Sequence, residues 1–363
     1  MKKTLRILSL LLIAAMLFAF AACGNTPDNG ENGSNENENN NDSNNENNND
    51  DGNTNKEYAK LNVGVLKGPT GVGAVGIADK ANAKKNGSTD TDAITKGNYD
   101  IEFYETANVA ALQTNVINGS VDIAAVPINA ASVLYNKTNG AVQIIAVNAL
   151  GVLSIVGTGE YDSITDLSGT TIHTINQGAT PEFILRYVLA ENGIADSVNV
   201  QFYSTPNEAV AKALTDGGVA MIPEPAVTSV QKQNANVKVL FNMTEEWDKV
   251  SDTKLVQGVL VARKEVIQNH PEEIALFLEE YSASVEFVNN TPAEAATSIV
   301  NYGIVAAAPI AQQAIPGCNV VCYNGIAMQN DVSAMLEILF SAAPNSVGGK
   351  LPDSAIYYVI EEN

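Results

Sequence analysis

The hexapeptide GVGAVG, Gly71 to Gly76, has the G-x-G-x-x-G spacing of a dinucleotide fingerprint and follows the apolar run LNVGVL. In that fingerprint the first glycine stands right at the strand end, where the backbone can approach a pyrophosphate. Here Lys67, Gly68, Pro69 and Thr70 intervene, and a proline fits that turn badly. Other chemistry-bearing residues are sparse. The two histidines, His173 and His270, stand far apart, so no metal-ligand spacing exists and no metal is expected. Cys318 and Cys322 lie four apart in an apolar, extended stretch, which favours two buried thiols over a disulfide. A nucleophile needs a base within reach, and neither a G-x-S-x-G elbow nor a Cys/His pairing is present. The reading is non-enzymatic, with no catalytic residue and no cofactor.

The residues that remain are polar groups at turns: Thr70 and Thr180, each in a Gly-x-Thr turn, Asn129, Asn148, and Glu224 between Pro223 and Pro225. Thr70 and Thr180 suit helix caps or hydroxyl donors. Glu224 suits either an acceptor for an N–H ligand or a helix-start acid. Arg186 reads as solvated rather than as a ligand contact, His173 as packed, and His270 as a helix cap. Trp247 either walls a cleft or anchors its loop.

The elements that must position these groups alternate. Strand-like runs LNVGVL, YDIEFYE, VDIAAV, VQIIAV, TTIHTI, VNVQFY, VAMIP and VKVLF are separated mostly by amphipathic helical stretches. That alternation predicts an α/β fold of mainly parallel sheets flanked by helices. About 300 residues exceed one ordinary core, so two domains are expected. The chain also repeats itself. DIEFYET (100–106) matches NVQFYST (199–205), and each is followed by a helix and then a strand ending at Pro127 or Pro223. Upstream, LKGPT (Gly68, Thr70) matches NQGAT (Gly178, Thr180), each between a strand and a helix.

Two similar lobes follow, one on residues 58–150 plus 258–363 and one on 151–257, joined by a hinge crossed twice. The crossings fall near NALGVLSIVG and LVQGVLVARK. The second copy of the turn lacks G-x-G-x-x-G, which argues against a nucleotide. Gly68 and Gly178 relieve the turn, while Gly71, Gly73 and Gly76 serve close packing or ligand approach. In open parallel sheets ligands bind beyond the carboxyl strand ends, so a cleft between the lobes is the expected site.

The chain opens MKKTLRILSLLLIAAMLFAFAAC, a basic start and a short apolar stretch, which reads as a signal peptide over 1–22. Its tail resembles the bacterial lipoprotein box, in which a diacylglyceryl group is attached to the cysteine, here Cys23. Phe20 departs from the usual aliphatic residue, and plain cleavage near Ala22 is the alternative. Residues 24–55 contain no aliphatic, aromatic or basic side chain, so 23–57 reads as a disordered tether spanning roughly 30 Å. The formal net charge is −21, and the signal adds three positive charges while the tether adds eight negative. The remaining body carries about −16, which argues against nucleic acid and against direct adhesion to anionic lipid.

The motifs LKGPTGVG, NGSVDIAAVPINAASVLYNK, NQGATPEFILRYVLAENGI, IPEPAVTS and NSVGGKLPDSAIYY resemble the extracellular solute-binding proteins of ABC importers. Within that family they are similar to the nitrate/sulfonate/taurine and thiamine-pyrimidine-precursor branch, with its type II periplasmic-binding fold. The resemblance covers residues 58–363. It implies a lipid-anchored, extracytoplasmic monomer that captures a small organic solute, with a membrane permease and its ATPase as partners. By the family's pattern the cleft is lined by Gly68, Pro69, Thr70, Thr106, Pro127, Asn129, Gly178, Ala179, Thr180 and Glu224, to which Gly71 and Asn148 are added as neighbours. The scarcity of cleft arginines leans the ligand toward a neutral or N–H-bearing planar ring, although helix N-termini would suit an oxyanion. A ligand-sensing surface lipoprotein is one alternative. A pyrimidine-precursor synthase on a related fold is another, disfavoured by only two histidines and one C-x-x-x-C pair.

Overall fold

The computed structural model describes residues 57–359. The signal peptide, Cys23 and most of the tether lie outside them. All eight strands expected from the apolar runs form, and three more join them.

The first repeat runs β1 (Lys60–Leu66), α1 (Pro69–Val72), α2 (Val75–Lys85), β2 (Asn98–Tyr104), α3 (Val109–Ile117), β3 (Ile123–Pro127), α4 (Ile128–Lys137) and β4 (Val142–Ala149). The chain then leaves for a second sheet through β5 (Leu153–Gly157). There the second repeat runs β6 (Thr171–Ile175), α5 (Thr180–Glu191), β7 (Asn199–Tyr203), α6 (Pro206–Asp216), β8 (Val219–Pro223), α7 (Ala226–Gln233), β9 (Lys238–Asn242) and α8 (Met243–Asp248). It returns through β10 (Gly258–Arg263), α9 (Lys264–Asn269), α10 (Pro271–Asn290), α11 (Pro292–Asn301), α12 (Ala308–Ala314), β11 (Val320–Tyr323) and α13 (Gly325–Ala342).

The duplication is visible in the strand order. The first sheet reads β11-β4-β10-β3-β1-β2, the second, from its β9 edge, β9-β5-β8-β6-β7. Without β11 these are one pattern: fourth strand of the repeat, crossing strand, then third, first and second. Leu66 pairs Tyr104 in one sheet as Ile175 pairs Tyr203 in the other, so the two Phe-Tyr pairs occupy equivalent register.

The sheets are mixed, with four strands of each pointing the same way. The repeat strands β1, β2 and β3 pair in parallel, as do β6, β7 and β8. The crossing strands run against their neighbours, β10 between β3 and β4, and β5 between β8 and β9. Each arrives from the opposite sheet and enters from that sheet's side, so its direction is reversed. Buried on both faces, β5 and most of β10 are near-continuous apolar runs, which explains why alternation did not mark them.

The two crossings hold each other. Gln257 donates its backbone N–H to the Ala149 carbonyl at 3.0 Å and accepts the Val152 N–H on Oε1 at 2.6 Å. The C-terminal helices do more than return to the first sheet. α10 packs on α2 and β11, but α12 reaches α7, and α13 packs on α4, β4 and also α5 of the second repeat.

The glycines of GVGAVG are packing residues. A Cβ on Gly71 would fall 2.5 Å from the Leu66 carbonyl, on Gly73 2.9 Å from the Tyr281 hydroxyl, and on Gly76 2.9 Å from Ser284 Oγ. The bare faces of Gly73 and Gly76 let the broken helix α1–α2 lie directly on α10. Ser284 stitches the break, donating to the Gly73 carbonyl at 2.7 Å and accepting the Ile77 N–H at 3.0 Å.

Candidate functional site

A cavity of about 520 Å³ opens between the carboxyl ends of the two sheets. From the first sheet come Lys67, Gly68 and Pro69 after β1, and Glu105 and Thr106 after β2. The second contributes Ile175 and Asn176 after β6, Ser204, Pro206 and Asn207 after β7, and Pro223 to Ala226 with Ser229 after β8. The turn 303–306 after α11 closes the side. The turns after β1 and β6 both pass through positive φ. Gly68 (φ 107°) and Gly178 (φ 76°) provide it, a conformation that side chains resist.

Of the nominated residues, Gly68, Pro69, Thr106 and Glu224 line this cavity. The others are employed around it. Thr70 caps nothing; its hydroxyl donates to the Leu66 carbonyl at 3.2 Å. Gly71 is buried beneath that same carbonyl. Pro127 ends β3 opposite Gly258. Asn148 is fully buried, donating from Nδ2 to the Thr70 carbonyl at 3.3 Å and to the Tyr281 hydroxyl at 3.2 Å. Its Oδ1 has no partner and rests where a Cβ of Gly258 would be.

Gly178 donates its N–H to Glu182 Oε2 at 2.7 Å, and Ala179 precedes α5. Thr180 is the first residue of α5, not its cap. Its hydroxyl donates to Asn129 Oδ1 at 3.0 Å, so two nominated residues on opposite lobes bond to each other.

Glu224 is the notable electrostatic feature. Burial raises its carboxyl pKa, opposed by hydrogen bonds from Thr228: the N–H to Oε2 at 3.1 Å and the hydroxyl to Oε1 at 3.0 Å. Across the cavity Lys67 Nζ pairs with Glu105 Oε1 at 2.5 Å. The adjacency of Lys67 and Glu105 to nominated residues could have found them in sequence. The 303–306 turn had no such signal, since only the C-terminal helices bring it there.

The remaining expectations resolve by contact. Trp247 walls no cleft; it is buried, donates to the Thr253 carbonyl at 2.7 Å, and packs on Tyr187 with centroids 4.8 Å apart. His173 is packed, one ring nitrogen 3.0 Å from the Tyr203 hydroxyl and the other 3.0 Å from the Gly217 carbonyl. His270 does not cap α10 with its side chain but lies 3.9 Å from Glu273. Arg186 pairs with Glu182 at 2.7 Å. Cys318 and Cys322 are both free thiols. Among the described residues no cluster of three potential ligands for a metal occurs, and no helix is long and apolar enough to cross a membrane.

Solved structures share this architecture. An ABC transporter structure from Parabacteroides distasonis superposes with a TM-score of 0.66 at 21% identity, covering 84% of this chain and 99% of that one. The periplasmic aliphatic sulphonate-binding protein SsuA of Escherichia coli gives 0.65 at 13% identity, over 84% and 94% of the two chains. The alkanesulfonate-binding protein SsuA of Xanthomonas axonopodis pv. citri, bound to MOPS, gives 0.58 at 12%, over 79% and 94%. At these identities the likeness is one of fold. No curated protein matches the sequence. The model of the family described as menaquinone biosynthesis matches residues 93–312, most of both repeats, and the chain belongs to that family.

Proposed function

We propose that the protein is the solute-binding component of an ABC importer, a monomer that captures a small organic solute between its lobes and delivers it to a permease driven by an ATPase. The single observation carrying this reading is the cavity between equivalent carboxyl edges of two topologically repeated sheets. Donors and acceptors reach it from both sides, and only two short segments, 150–152 and 249–257, must flex for it to open. The lobes of the proposal are 58–150 with 258–363, and 151–257. The likeness to sulfonate-binding and ABC-transporter structures supports the same role. We further propose that Cys23, lipidated after removal of residues 1–22, holds the domain at the outer face of the membrane through the 23–57 tether. Native mass spectrometry of the purified protein tests capture: a bound small molecule released unchanged on denaturation is expected, and chemical conversion of that molecule refutes it. Cys23→Ser should release the protein into the medium.

The family match favours one second reading, an enzyme of menaquinone biosynthesis on the same fold. Glu224, a half-buried carboxylate lining the cavity, would then be its proton-transfer group. Turnover abolished by Glu224→Gln would establish it; neither His173 nor His270 lines the cavity.

A further inference from the structure

The cavity's own charges point to what it holds. Lys67 Nζ is paired with Glu105 Oε1 at 2.5 Å. Glu224 has no such counterpart: among the described residues no Lys, Arg or His lies within ion-pair distance of it. Each of its oxygens accepts one hydrogen bond from Thr228 and keeps a lone pair free. The carboxylate is also clasped from the other lobe, where a Cβ on Gly317 would fall 2.9 Å from its Cγ and 3.1 Å from Oε1.

In the second lobe the helix N-termini that would attract an anion are meanwhile filled by this chain's own acids. Glu182 takes the Gly178 N–H before α5, at 2.7 Å. Glu208 takes the Ser204 N–H before α6, at 3.2 Å, while Thr205 caps Glu208. Glu224 itself takes the Thr228 N–H in α7. At these three helix starts an oxyanion would meet a carboxylate where it needs donors. No aromatic ring lines the cavity, so a quaternary ammonium would find no π face. The cation must hydrogen-bond.

We infer that the cavity takes a solute bearing an N–H cation, a primary amine, amidine or guanidine, seated on the free lone pairs of Glu224, and rejects sulfonates and carboxylates. This rests on the solute-binding reading and narrows it.

Isothermal titration of the purified protein at pH 7.5 tests it, with butylamine, agmatine and benzamidine against ethanesulfonate, butyrate and MOPS. At least one cation should bind and no anion should. Glu224→Gln should weaken that cation about 10- to 100-fold, the loss expected for a charge-assisted hydrogen bond. Glu224→Asp should keep the preference for cations. If the Gln variant does not fold, the wild-type panel alone decides. Binding of an anion, tightened by Glu224→Gln, overturns this inference and leaves solute capture standing. Heat from none of the six overturns it too, and a native mass spectrum without any co-purified small molecule would then overturn solute capture as well.

Discussion

The hydrogen bond from Thr180 to Asn129 joins the two lobes directly and should bias the closed state. Thr180→Val removes the donor while keeping the shape of a nearly buried side chain (3% exposed). A neutral hydrogen bond of 3.0 Å is worth about 1 kcal/mol net. Asn129 is only half-buried and can regain water when its partner is lost, so no further penalty is added. About 1 kcal/mol is roughly a fivefold shift of the closed-to-open ratio, and a solute held only by the closed form loses affinity by up to the same factor.

Labels at Asn118→Cys and Thr215→Cys, both exposed and on different lobes, would report the separation by single-molecule energy transfer in a Cys23→Ser background. Native thiols should not compete, because burial pushes Cys322 up to about 12 and Cys318 higher still. Thr180→Val and Asn129→Ala combined should fall short of additivity by about 1 kcal/mol. A shift under twofold, with additive effects of the two substitutions, would refute the latch.

Other consequences are as concrete. Ser284→Ala orphans the buried Gly73 carbonyl and Ile77 N–H, which should cost about 2–4 kcal/mol and lower the calorimetric Tm by about 3–6 °C; an unchanged Tm would mean the α1–α2 break is satisfied otherwise. Because burial raises the Glu224 carboxyl pKa, the native state keeps its proton where the unfolded chain has released it. Stability therefore falls as pH rises from the ordinary carboxylate value through the raised one. Glu224→Gln should accordingly gain Tm over wild type at pH 7.5 but not at pH 4, and an equal difference at both would contradict the assignment. In the Cys23→Ser protein at neutral pH, Ellman's reagent should react slowly with Cys318 and Cys322 until denaturant is added; a fast native thiol would show their burial to be wrong.

The sequence by itself determined the duplication, the α/β class and the eight alternating strands. These are local facts: an apolar run, a Gly-x-Thr turn and a Phe-Tyr strand end announce themselves wherever the chain goes. It also nominated Gly68, Pro69, Thr106 and Glu224, which line the interlobe cavity, because each stands where a strand end gives way to a helix start. What it did not contain was which partner each polar group would find. Thr180 faces Asn129 and Asn148 faces Tyr281 across 51 and 133 residues; the first pair exists only once the two sheets are apposed, the second only once α10 packs back on the first sheet. The direction of β5 and β10 was equally hidden, since an apolar run buried on both faces carries no sign of which way it runs. The glycines of GVGAVG illustrate both sides. Their spacing was written in the chain, but the purpose of Gly73 and Gly76 was set by α10, which arrives some two hundred residues later and lies too close for any side chain.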